Sequence, residues 1–142
     1  ITVTGALDKE GNPYVKGVTL DLTTGGELAP ALIAIAALSQ EPSVITGIGH
    51  IRHHETDRLA ALSTEIKKLG GAVTELEDGL RIEPSELHGG VWESYEDHRM
   101  ATAGAIIGLR VAGVEVENIA TTSKTLPEFA ALWSALVEKT SP

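Results

Sequence analysis

Cysteine is absent from the 142 residues, which excludes disulfides, a thiolate nucleophile and a thiolate-held metal. Basic residues are in the minority, 11 Lys and Arg against 20 Asp and Glu, for a formal charge of −9. That balance argues against nucleic acid and against an anionic membrane as partners, since both need a basic surface. No run approaches the ~18 to 20 apolar residues of a membrane span, and no signal peptide is visible. A cytoplasmic location is the default expectation. The chain opens Ile1-Thr2-Val3-Thr4-Gly5, without Met and inside a strand-like alternation. We therefore expect a piece of a longer protein, with part of any site lying elsewhere. What is present, 42% hydrophobic residues over this length, is enough for one domain with a core.

Periodicity predicts an α/β chain. Strands are expected at Ile1–Thr4, Val18–Leu22 and Val44–Ile48, then at Ala72–Leu76 and Leu80–Glu83 around an Asp78-Gly79 hairpin turn, and at Val114–Ile119. Helices are expected from Glu27 to about Ser39, with Pro30 in the first turn, and from an N-cap at Thr56 to Gly70-Gly71. A third is expected from Asp97 to about Val111. A last one starts near Thr125, with Phe129, Leu132 and Leu136 on one face and Trp133 also in the core. Trp92, in a Gly-flanked loop, has no assigned role, and the acidic run Glu75–Asp78 reads as a solvated hairpin.

The chain repeats itself. Leu59-Ala60-Ala61-Leu62 recurs 70 residues on as Phe129-Ala130-Ala131-Leu132, and the same offset carries Val44 to Val114, Glu27 to Asp97 and His54 to Lys124. Helix, strand, charged loop and helix thus occur twice in one order. The period exceeds the ~20 to 50 residues of solenoids. It fits copies of a βαβαββ unit, whose parallel strands need helical crossovers.

Against the acidic background, cations collect at predicted helix starts: His50 to Arg58, Glu96 to Met100, and Ser123-Lys124-Thr125. A helix N-terminus carries partial positive charge, so basic residues there are mildly unfavourable. They make sense for holding an anion, which dipole and side chains then attract together. Equivalent helices pointing the same way would bring Glu27, His50, His54, Glu55, Arg58, His98, Arg99 and Lys124 to one face. Arg can hold a carboxylate or phosphate bidentately, Lys as a point charge, and Glu27 and Glu55 can exchange protons with a ligand. The ordinary alternative for Arg58 and Arg99 is a salt bridge to Asp57 or Asp97 on a solvated surface. Glu27 has its own ordinary reading, a favourable dipole contact at a helix start, and Glu55 beside Thr56 is equally ambiguous. His50, His53 and His54 raise the question of a metal. They lack the helical spacing of a zinc motif, and no metal is assigned.

Three segments carry a family resemblance. His54-Glu55-Thr56-Asp57-Arg58-Leu59, Asp97-His98-Arg99-Met100-Ala101 and Ser123-Lys124-Thr125-Leu126-Pro127-Glu128-Phe129 closely resemble 5-enolpyruvylshikimate-3-phosphate synthases, in the family's order and spacing, over about Asp21 to Val137. The resemblance implies an inside-out α/β prism built of βαβαββ units, here a single partial domain over 1–142. One approximately complete unit would span 18–86 and a partial second unit 87–142. It also implies transfer of the enolpyruvyl group of phosphoenolpyruvate to the 5-hydroxyl of shikimate 3-phosphate, with release of phosphate, in aromatic amino acid biosynthesis, without a cofactor. Under it Glu27 and Glu55 are the catalytic acids. Glu27, His54 and His50 face shikimate 3-phosphate, and His54 stands where many members have Lys. Arg58, Arg99 and Lys124 clamp phosphoenolpyruvate, with His98 and Asp97 supporting them. The missing N-terminal domain of the same chain would complete the site, and the piece alone is expected to be inactive. The rival readings are a UDP-N-acetylglucosamine enolpyruvyl transferase and a non-catalytic anion-binding module.

Overall fold

The computed structural model describes Thr2 and residues 4–140; the strand expected over Ile1–Thr4 falls partly outside the described residues. The first four strands form one sheet in the order β1-β2-β4-β3. Strand β1 (Thr19–Asp21) runs parallel to β2 (Ser43–Thr46), with Thr19 opposite Val44, and helix α1 (Ala29–Ala36) makes the crossover a parallel pair requires. Helix α2 (Arg58–Lys68) follows. Then β3 (Ala72–Glu75) and β4 (Leu80–Glu83) fold back as an antiparallel hairpin, and β4 pairs with β2 so that Leu80 faces Ile45. A second, parallel pair, β5 (Gly90–Trp92) and β6 (Val114–Val116), flanks α3 (His98–Gly108), and α4 (Phe129–Thr140) ends the described chain.

Alternation explains the sheet and a 3.6-residue period the helices. Ile45, Leu80 and Ile82 point inward with Arg81 outward, and Leu59, Leu62, Ile66 and Leu69 of α2 and its C-terminal end meet them. Ile33 of α1 and Met100, Ala103 and Ile107 of α3 extend the same core, with α1 packed along α3. Trp92 belongs to it as well. Its ring is fully buried, its Nε1 donates to the Met100 carbonyl at 2.8 Å, and it lies against Gly104. The acidic hairpin is anchored rather than merely solvated: Asp78 accepts the Gly47 and Ile48 amides at 3.1 and 2.8 Å, and Arg52 pairs with Glu75.

Several boundaries depart from the periodic reading. Glu27 lies in a 3-10 turn, Gly26–Leu28, and α1 begins only at Ala29. Asp57, not Thr56, caps α2, accepting the Ala60 amide at 3.0 Å. Strand β6 is shorter than expected because Asn118 turns left-handed (φ 50°), and Ile119–Lys124 form a 3-10 turn. Pro127 disfavours helix at the residue before it, so α4 starts at Phe129 instead of near Thr125. Strand β5 was not anticipated, since Gly89-Gly90 reads as a loop and its partner lies beyond a helix. The expected stripe on α4 is split. Phe129 is buried and stacks on Trp133 at 5.3 Å, whereas Leu132 and Leu136 are 51% and 56% exposed.

Candidate functional site

The chain brings charged side chains from four helical stretches to one place. Glu27 arrives just before α1, His54, Glu55 and Arg58 at the start of α2, Asp97, His98 and Arg99 at the start of α3, and Lys124 at the end of the 3-10 turn preceding α4. Asp97 caps α3 by accepting the Arg99 amide at 2.8 Å, which satisfies one of the orphan donors of that terminus. The same carboxylate, fully buried, grips the Arg58 guanidinium from Nε at 2.7 Å and from Nη2 at 3.2 Å.

Arg58 is the centre of the cluster, only 1% exposed. Besides Asp97 it donates to Glu55 at 2.8 Å and to Glu27 at 3.5 Å, and its Nη1 lies 2.8 Å from His54 Nδ1. Glu27 also reaches His54 Nδ1 at 3.1 Å. One nitrogen cannot be donor and acceptor at once, so His54 serves Arg58 with a bare Nδ1 and Glu27 with a protonated one. Arg99 pairs with the Glu27 carboxylate and donates to its carbonyl at 2.7 Å. Lys124 pairs with Glu55.

Both arginines are therefore paired, but not as the ordinary alternative has it. Asp57 pairs with Arg52, and the Arg58–Asp97 contact is buried between two helices rather than solvated on a surface. Glu27 bridges Arg58 and Arg99, and Glu55 bridges Arg58 and Lys124, so the cations converge. Three carboxylates, Glu27, Glu55 and Asp97, balance three cations, Arg58, Arg99 and Lys124. A buried pair bears a desolvation cost that hydrophobic packing would avoid, which makes this constellation a poor device for stability alone. An incoming anion would compete with Glu27 for Arg99 and with Glu55 for Lys124, and both acids are partly solvent-accessible. Hydrogen bonding from Lys124, from its own amide and the charge of Arg58 hold the Glu55 carboxyl at about 2 against the opposing effect of burial. Glu55 is thus an acceptor while Lys124 holds it, and losing that partner raises its proton affinity.

His50 lines a hollow of about 410 Å³ with Thr23, Thr24, Gly26, Glu27 and His54. Sequence reasoning missed Gly26. A Cβ there would stand 2.3 Å from His50 Nε2, so any side chain at that position would push the imidazole out of its place; the Gly25-Gly26 pair was the available signal. His98 is buried and its Nδ1 has no hydrogen-bond partner among the described residues. Among the described residues no three His, Asp or Glu side chains are arranged to hold a metal, and no helix is long and apolar enough to cross a membrane.

The family model described as EPSP synthase (3-phosphoshikimate 1-carboxyvinyltransferase) matches residues 1–133. A 3-phosphoshikimate 1-carboxyvinyltransferase of Kocuria rhizophila is 62% identical over 133 residues, covering 94% of this chain and 30% of that protein. Two solved structures of EPSP synthase from Acinetobacter baumannii, each 28% identical, align with TM-scores of 0.79 and 0.73 over 88% of this chain and over 31% and 30% of theirs. The chain thus spans about three tenths of the length of these relatives.

Proposed function

The chain belongs to the EPSP synthase family and has the enolpyruvate transferase fold, in part, and from that premise we propose that it supplies one half of an enolpyruvyl-transfer site. The whole protein moves the enolpyruvyl group of phosphoenolpyruvate to the 5-hydroxyl of shikimate 3-phosphate and releases phosphate, in the cytoplasm. Residues 18–86 make one βαβαββ unit and 87–142 part of a second, and a further domain of the parent protein closes the cleft.

In this reading Arg58, Arg99 and Lys124 hold phosphoenolpyruvate, while Glu27, His54 and His50 face shikimate 3-phosphate. Glu27 accepts the proton of the 5-hydroxyl as its oxygen bonds to C2 of phosphoenolpyruvate. Glu55 delivers a proton to the methylene carbon, then takes one back from it as the C2–O bond to phosphate breaks. The proton Glu55 needs for the first step is favoured once an anion competes for Lys124. Preorganised cations stabilise charge as it develops, without reorganising during reaction. Asp97 keeps Arg58 aimed, and the buried His98 follows it in the chain as a supporting residue.

The observation that carries this reading is the bridging of three cations from three elements by the two acids assigned to proton transfer. Glu55→Gln in the full-length protein tests it. Turnover of phosphoenolpyruvate with shikimate 3-phosphate is expected to fall by about 10² to 10⁴, the usual worth of a general acid–base group. Intact turnover would reduce the cluster to anion binding, and activity only with a UDP-linked sugar acceptor would move the protein to the sister transferases.

A further inference from the structure

The loop that delivers Asp97 and Arg99 has an unfavourable shape. Tyr95 and Glu96 are consecutive non-glycine residues with φ of 53° and 55°, and the Asp97 amide closes the turn on the Ser94 carbonyl at 2.8 Å. Two successive left-handed residues suit Gly, Asn or Asp; a bulky aromatic residue there is strained. Such a turn persists only where its surroundings over-determine it.

Helix α2 provides those surroundings through Glu65, whose side chain is fully buried. One carboxylate oxygen accepts the Tyr95 hydroxyl at 2.7 Å, the other accepts the Glu93 amide at 2.9 Å and the Lys68 ammonium at 2.9 Å. A buried carboxylate is tolerable only with its lone pairs filled in this way. Burial and the adjacent Glu65 carboxylate push the Tyr95 phenol up, so its hydroxyl remains a donor. Glu65 also stands seven residues from Arg58, two turns along the same face of α2. The helix therefore grips one loop at two points, Glu65 before and at the strained turn and Arg58 on Asp97 just after it.

We infer that Tyr95 and Glu65 are positioning residues: their hydrogen bond locks the strained turn and so sets where Asp97 and Arg99 stand relative to Arg58. Their own hydrogen bonds go to each other, to Glu93 and to Lys68, not to the cations of the cluster. Only the kinetic consequence of this rests on the reading given under the proposed function.

The test uses the full-length protein carrying Tyr95→Phe, which keeps the ring and removes the hydroxyl. Ile82→Val serves as a control that trims the core at β4, on a strand that pairs with β2 and β3. Solvent exchange of the Arg58 Nε proton, followed by NMR, should be about tenfold faster in Tyr95→Phe, the scale of one hydrogen bond to a charged group, and unaltered in Ile82→Val. The KM for phosphoenolpyruvate should rise by about the same factor while that for shikimate 3-phosphate stays within about twofold. Exchange within about twofold of the parent, equal acceleration in both variants, or an unchanged KM for phosphoenolpyruvate overturns the inference. If Tyr95→Phe does not fold, Glu65→Gln takes its place under the same criteria, because Tyr95 and Glu93 donate to different oxygens of Glu65 and a carboxamide keeps an oxygen at only one of those positions. A parent protein that turns over neither substrate would remove the proposed function, and the exchange comparison would still decide the positioning role.

Discussion

Glu55 lies between Lys124 and Arg58, and that placement sets its charge. Its folded value, about 2, is below the ordinary 4.5. Stability from this pairing is therefore complete above the ordinary carboxylate range and is lost as the pH falls towards 2. Replacing Lys124 by Met removes the largest cause. A carboxyl ¹³C titration should then place the Glu55 midpoint well above 2, held below 4.5 only by Arg58 and its own amide; a midpoint still near 2 would show that Lys124 is not the cause. At this scale much was readable in the chain. Arg58, Arg99, Lys124 and the acids beside them stand in motifs with a recognisable order. Glu65 was not readable, because an acid in mid-helix is usually a solvated one and nothing in its neighbours signals burial. Gly26 was half visible, as a glycine without a stated reason.

At the scale of elements, α3 shows how packing overrides propensity. Gly104 sits in the helix interior, where alanine is favoured by ~1 kcal/mol. A Cβ there would meet Trp92 Cδ1 at 2.5 Å, and that ring is buried and pinned through its hydrogen bond to Met100. Overpacking of a full core costs ~1–3 kcal/mol, so the collision outweighs the propensity gain. Gly104→Ala is expected to lower the urea midpoint by the equivalent of ~1 kcal/mol or more; an unchanged or higher midpoint would mean that Trp92 has room to move. Elements with a clear period, β4 and α2 among them, were legible. Their ends were not, since caps and 3-10 turns depend on single backbone conformations such as that of Asn118. Strand β5 escaped because three residues beside two glycines carry no alternation, and its pairing with β6 spans a helix.

For the whole molecule, the converging cluster and the partly exposed α4 point in the same direction. The chain covers about three tenths of its relatives' length, Leu132 and Leu136 are more than half exposed, and Arg99 and Lys124 are partly exposed beside the buried Arg58. We expect the isolated 142 residues to show no turnover of phosphoenolpyruvate with shikimate 3-phosphate under conditions where the full-length protein is active. Measured turnover by the isolated chain would refute the half-site description. By itself the sequence determined the α/β class, the repeated order of helix, strand and charged loop, and the identity of the charged residues, because periodicity and motif spacing are local properties. Only the tertiary structure decided that Glu27 and Glu55 neutralise the cations they stand beside, and that Arg58 is buried on Asp97. Apart from Glu55–Arg58, those contacts join residues 31 to 72 positions apart, and Coulomb attraction and desolvation depend on distance in space, which only the folded chain defines.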